Sequence, residues 1–173
     1  MQSINNKILE IKVLLAETMP DIFCVSEHWL GGEDIQSVTL DDYLPVAYSS
    51  RTEFRGGGTA IFARSELGHE PIKIDTVCTE KHFEYCVCQI TVINRSYIVV
   101  CVYRSPVGNL ELFLSELDIV LNSLYVPNRC LLVCGDFNVN FQQDDNDVRS
   151  VLQLMAGYGM EQHVMGVTRD GRC

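Results

Sequence analysis

Apolar positions recur every three to four residues near the start of the chain. Ile4, Ile8, Ile11 and Leu15 fall on one helical face. Ser3 stands where an N-cap belongs, and Met19-Pro20 ends the pattern. The clearest helical stripe follows Asn109, where Leu110, Phe113, Leu114, Leu117, Val120, Leu121 and Leu124 predict a second amphipathic helix. Val148 to Met155 predicts a third, stopped by Gly157-Tyr158-Gly159.

Elsewhere the apolar residues gather in short runs, the pattern of strands. DIFCVS (Asp21 to Ser26), Tyr43 to Tyr48, TAIFAR (Thr59 to Arg64) and Ile72 to Val77 are four such runs. Tyr85 to Ile93, Tyr97 to Tyr103 and Leu131 to Cys134 complete the set. The polar pair around Asn94-Arg95 reads as a hairpin turn. Strands from Ile72 to Tyr103 follow one another without helices, which disfavours a doubly wound parallel sheet. The expected class is α+β, a two-layer β-sandwich flanked by helices. No repeat, linker or low-complexity tract divides the chain, so a single domain over residues 1–173 is expected.

Composition changes this picture only in part. Hydrophobic residues make up 47% of 173, enough for a sizeable core, and no apolar run is long enough to cross a bilayer. The opening residues lack the basic region and cleavage site of a secretory signal. A nuclear or cytoplasmic protein, not secreted and not membrane-bound, is the expectation. Eight cysteines raise the question of disulfides or zinc. Six of them, Cys24, Cys86, Cys88, Cys101, Cys130 and Cys134, sit in apolar runs, and no CxxC or Cys/His spacing suits zinc. They are read as buried, reduced thiols. The net charge of −10 counts against a basic surface that grips a polyanion. An acidic chain can still hydrolyse phosphodiesters if its carboxylates hold a divalent cation.

Candidate chemistry begins with LLVCGDFNVN (Leu131 to Asn140). Gly135 lets the backbone turn at a strand end. In an extended chain Asp136 and Asn138, two apart, point to the same side. There a carboxylate takes a proton from water or holds a cation, and a carboxamide orients it or binds a phosphate oxygen. The competing reading is a plain turn, with side chains capping backbone amides. Glu27 follows the strand DIFCVS and the strand within YIVVCVYRSP ends in Tyr103, so both also emerge at strand ends. Singly, each is an ordinary loop or core-covering residue. Together, Glu27 and Asp136 offer the oxygen ligands that Mg²⁺ prefers.

Other stretches carry less. Gly56 to Gly58 lacks the Gly-Lys-Ser/Thr of a phosphate loop and instead permits a tight approach to a strand. QQDDNDV (Gln142 to Val148) lacks the Ca²⁺-loop pattern and reads as a solvated loop and helix cap. Arg51, Arg55 and Arg64 read as surface arginines, with DNA-backbone contact the alternative. His28, His69, His82 and His163 match no catalytic motif.

In order, MQSINNKILEI, MPDIFCVSEHWL, RGGGTAIFAR, VVCVYRSP, LLVCGDFNVN and VTRDGRC resemble the endonuclease/exonuclease/phosphatase family. The likeness is greatest to the apurinic-like endonuclease domain of non-LTR retrotransposons. It implies a deoxyribonuclease-like four-layer α/β/β/α fold. It implies Glu27 as the metal-binding glutamate and Tyr103 as a contact to the scissile phosphate. It further implies Asp136 as the residue that activates or orients water, Asn138 as its partner on the phosphate, and Thr168 as a substrate contact. The implied reaction is Mg²⁺-assisted hydrolysis of a DNA phosphodiester, with Mn²⁺ an alternative metal. The nick would leave a 3′-hydroxyl that primes a covalently linked reverse transcriptase. The family's first-strand asparagine and its late aspartate and Ser-Asp-His have no counterpart here. A domain lacking its first strand and C-terminal strands, inactive alone, is therefore expected. Two alternatives stand: a small-molecule phosphodiesterase or phosphatase of the same fold, and a catalytically dead remnant that only binds a partner.

Overall fold

In the computed structural model, residues 4–76, 78–127, 129–164 and 166 are described. A 3₁₀ turn, Ile4–Lys7, leads into α1 (Ile8–Thr18), β1 (Ile22–Ser26) and the short α2 (Gly32–Gln36). Then come β2 (Tyr43–Ser49), β3 (Thr59–Arg64), β4 (Gly68–Pro71), β5 (Glu84–Val92) and β6 (Arg95–Tyr103). The chain continues with α3 (Leu110–Leu124), β7 (Cys130–Asp136) and α4 (Asn146–Gly157). One sheet has the order β1-β3-β2 and is antiparallel throughout. The other has the order β4-β5-β6-β7, and only the β6–β7 pair is parallel, with α3 making the crossover.

Strand alternation sorts the apolar residues into three layers. On β3, Ala60 and Phe62 face Ile4 of the 3₁₀ turn and Ile11 and Leu15 of α1, while Ile61 and Ala63 face the second sheet. On β5, Tyr85 and Val87 face Phe113, Leu117, Val120 and Leu121 of α3, while Cys86, Cys88 and Ile90 face inward. β6 repeats this, with Ile98, Val100 and Val102 toward α3 and Val99 and Cys101 toward the first sheet. Two helix-covered outer layers and one inter-sheet layer give the α/β/β/α arrangement. The central strands are covered on both faces, which is why they read as unbroken apolar runs.

Local chemistry fixes the element ends. The Asn109 side chain accepts from Leu112 N at 2.9 Å and caps α3, and Asp145 does the same for α4 through Val148 N. Met19 adopts a left-handed φ of 43° and returns its N–H to Leu15 O, closing α1. The β5–β6 hairpin turns on Ile93 and Asn94, both with positive φ, one residue earlier than Asn94-Arg95. Gly159, at φ 68°, follows the end of α4.

Three expectations change. The fourth strand is Gly68–Pro71 rather than Ile72 to Val77, of which residues 72–76 are irregular. Ile72 and Ile74 are apolar because they pack on the layer under α3, not because they pair in a sheet. Cys130, at the start of β7, is exposed rather than buried. Gly135 does not turn the chain: it lies inside β7, where a Cβ would meet Val102 O at 1.9 Å, so close approach of β6 explains the glycine. Ser3, Val77 and Thr168 lie outside the described residues.

Candidate active site

One end of the sandwich gathers the ends of six strands. β1, β2, β6 and β7 finish there, and β3 and β5 begin there, because Ser26 pairs with Thr59, Ser49 with Thr59, Glu84 with Tyr103 and Tyr103 with Asp136. This brings Glu27, Tyr103 and Asp136 together across more than a hundred residues of sequence. The Tyr103 hydroxyl donates to Glu27 Oε1 at 2.5 Å. Glu27 and Asp136 line one open recess of about 240 Å³ with Phe23, Cys24, Val25 and Ser26. Burial first, then the Glu27 carboxylate, push the Tyr103 pKa up, so at neutral pH it is a phenol that donates.

The turn after β7 is held more tightly than its sequence suggests. Asn138 N–H donates to Asp136 Oδ1 at 2.9 Å, which orients the carboxylate. Asn138 has φ 49°, so Asp136 and Asn138 do not share one side of an extended strand. The Asn138 carboxamide instead donates to Arg104 O at 2.6 Å. The Arg104 guanidinium reaches back to Phe137 O, Asn138 O and Gly108 O. Turn geometry and a carboxylate lining the recess thus coexist: the backbone amide caps Asp136, and the amide side chain staples the turn to the end of β6.

Beneath Glu27 lies a buried polar floor that the sequence did not reveal. Glu84, 1% exposed, accepts from Arg51 Nη2 at 2.5 Å, Gly58 N at 2.7 Å and Lys81 N at 3.0 Å. Arg51 is therefore an internal cation rather than a surface one, and its guanidinium lies 5.8 Å from the Tyr103 ring centre. Fully buried His28 uses Nε2 to donate to Ser49 O, and its Nδ1 accepts from Leu30 N. Burial lowers its pKa, consistent with this neutral tautomer. Glu27 and Trp29 have left-handed φ of 62° and 60°, and their N–H groups donate to Gly58 O and Gly57 O. The triple glycine admits this contact, since a Cβ on Gly58 would strike the His28 ring at 2.3 Å. No local pattern announces the Arg51–Glu84 pair; only Gly56-Gly57-Gly58 hinted at close packing.

In the loops at this end of the sandwich, two cations lie over aromatic rings. Arg55 lies 5.9 Å from the Trp29 ring centre, and Lys81 Nζ lies 3.2 Å from that of Phe54. Glu80 accepts from the N–H groups of Thr52, Glu53 and Phe54 and so anchors this loop. Burial opposes ionisation there, but those donors hold the Glu80 carboxyl below its usual range. Arg64 lies at the other end of β3, paired with Glu66, far along the strand from the recess.

Solved structures share this architecture. The endonuclease domain of TRAS1, a telomere-specific non-LTR retrotransposon, has a TM-score of 0.65 at 15% identity, over 87% of this chain and 65% of that one. D. rerio TDP2 complexed with single-strand DNA product has a TM-score of 0.60 at 18% identity, over 90% and 58%. An AP endonuclease from Archaeoglobus fulgidus has a TM-score of 0.59 at 16% identity, over 90% and 67%. The chain thus spans about three-fifths to two-thirds of the length of these structures. No curated protein matches the sequence. The family model for the Endonuclease/Exonuclease/phosphatase family matches residues 2–171. With the four-layer fold and the acidic recess between its sheets, this match means that the chain belongs to the endonuclease/exonuclease/phosphatase family.

Proposed function

We propose that this chain is the metal-dependent endonuclease domain of a non-LTR retrotransposon and that it nicks DNA by phosphodiester hydrolysis to prime reverse transcription. The observation that carries the reading is the meeting of Glu27, Tyr103 and Asp136 around one recess. Family members are hydrolytic phosphodiesterases and nucleases, and they generally use divalent metal ions. The donors available here fit such an ion: a Glu27 carboxylate held by a phenol, with a second carboxylate on the same recess, are the hard oxygen ligands that Mg²⁺ or Mn²⁺ takes. When bound, the ion supplies positive charge to the phosphate in the transition state.

The chain's own residues do the rest. Asp136, oriented by Asn138 N–H, takes the proton of an attacking water. The Tyr103 phenol has a single proton: it aligns the Glu27 carboxylate, and it would turn to a phosphate oxygen were a cation to take over that carboxylate. Arg51, anchored by Glu84, keeps positive charge close behind Tyr103. Arg55 with Trp29 and Lys81 with Phe54 put local cations and aromatic faces in the loops at the same end of the sandwich, which supports a nucleic-acid strand as substrate despite the net charge of −10.

The test is Mg²⁺-dependent nicking of supercoiled plasmid, with polymerase extension to detect the 3′-hydroxyl, run on this chain and on the chain within a longer polypeptide. Asp136→Ala is expected to cut the rate by about 10²-fold or more. Hydrolysis of a sugar phosphate without nicking would move the substrate to the small-molecule class. Nicking at the parent rate by Asp136→Ala would overturn the assignment of roles.

A further inference from the structure

We propose that Cys24, Cys101 and Cys134 form a three-thiolate site for a soft divalent cation of the zinc class. The site joins the two sheets directly below the acidic recess. The three Sγ atoms lie within 4.8 Å of one another. They come from β1, β6 and β7, so nothing in their sequence spacing groups them. Cys101 and Cys134 are register partners on adjacent parallel strands, and Cys24 faces them from the other sheet.

The coordination chemistry follows from the geometry. A zinc-class ion sits about 2.3 Å from thiolate sulfur, which sets tetrahedral ligands about 3.8 Å apart. The sulfurs therefore need close in by no more than about 1 Å, within reach of side-chain adjustment. Competing contacts are weak: Cys101 Sγ donates to Val25 O at 3.6 Å, and Cys134 Sγ to Val100 O at 3.7 Å. Cys88, outside the trio, has two carbonyl partners at 3.3 Å. Charge selects among soft ions. Ile61, Val99 and Ile22 share this layer, and in apolar surroundings a divalent cation leaves less uncompensated thiolate charge than a monovalent one. Three S–M bonds form, up to three thiol protons pass to solvent, and no redox step is needed.

Position gives the site a consequence. Cys101 and Cys134 lie two residues before Tyr103 and Asp136 on their strands, on the same strand faces. Cys24 lines the recess itself, which supplies a route in and leaves the fourth tetrahedral position to water. An ion held there ties β1 to β6 and β7 immediately below the residues that end them. Hard cations are excluded by ligand type, so this site and an oxygen-donor site at Glu27 load independently.

The test is to titrate the reduced, metal-free chain with Cd²⁺ and follow the ultraviolet sulfur-to-cadmium charge-transfer band. X-ray absorption counts the sulfur neighbours. One equivalent with three sulfurs, bound also when the chain is preloaded with Zn²⁺ because the softer Cd²⁺ displaces it, and accompanied by a higher unfolding temperature, is expected. Since Cys101 is fully buried, half-buried Cys24→Ser is the primary variant, with circular dichroism recording its fold. It should bind Cd²⁺ at least tenfold more weakly, whereas Cys130→Ser, which removes an exposed thiol, should bind as the parent does. No band at one equivalent, or a folded Cys24→Ser that binds like the parent, would overturn the proposal, as would loss of binding in Cys130→Ser.

Discussion

The layer under α3 and the acidic end of the sandwich are built from the same two strands by different rules. Along β5 and β6, Tyr85, Val87, Val100 and Val102 repeat every second residue and meet a helix whose apolar stripe is equally regular. Where those strands reach the end of the sandwich, Glu84 and Tyr103 face each other in register, and the pattern stops. Four of the eight described non-glycine residues with left-handed φ lie near that end: Glu27, Trp29, Lys81 and Asn138. A Cβ added to Gly57 would strike Arg51 at 2.1 Å. Periodic burial stabilises the fold, and the strain and buried polarity of the strand ends hold carboxylates where burial alone would not.

This comparison breaks first at Glu84. Glu84→Ala leaves the Arg51 guanidinium buried without its carboxylate and strips acceptors from Gly58 N–H and Lys81 N–H. The expected loss is about 3–5 kcal/mol in urea unfolding. A loss under about 1 kcal/mol would mean that the polar floor carries no weight. Leu117→Ala tests the other region. Leu117 is fully buried under α3, and its truncation should cost about 2–5 kcal/mol while leaving divalent-cation binding at Glu27 unchanged. Equal damage to cation binding would show that the two regions are not separable.

A pH dependence sharpens the contrast more gently. Burial holds the His28 pKa below its ordinary 6.5, so the unfolded chain takes up the proton first. Stability from this residue is full above the ordinary value and falls as pH drops toward the folded pKa. The slope is at most about 1.4 kcal/mol per pH unit. His28→Gln should flatten the unfolding free energy between pH 7 and 5 relative to the parent; parallel curves would contradict the account. Smallest is the cap: Asn109→Ala should cost about 1 kcal/mol through the lost Leu112 N–H bond and leave that pH slope intact.

The same division decides what could be read from sequence. α3, α4 and the central strands declare themselves because burial imposes a period on neighbouring residues. The strand Gly68–Pro71 does not, since all four residues are exposed on a sheet edge and carry no apolar pattern. Short α2 buries only Ile35. The strand-end positions of Glu27, Tyr103 and Asp136 were legible, because each closes or follows an apolar run. Their support was not: Arg51 and Glu84 are 33 residues apart, and two charges so separated look like ordinary surface residues until the sheets pack. The trio of cysteines was hidden for the same reason, each being one more small apolar residue on its own strand.

The central claim is that the ends of β1, β6 and β7 make one oxygen-donor site for a divalent cation. Mn²⁺ binding to the chain, followed by electron paramagnetic resonance, tests it without requiring turnover. One Mn²⁺ per chain is expected, weakened at least about tenfold in Glu27→Ala and unchanged in Glu33→Ala, which alters an exposed carboxylate on α2. Equal binding by the parent and a folded Glu27→Ala would contradict the account.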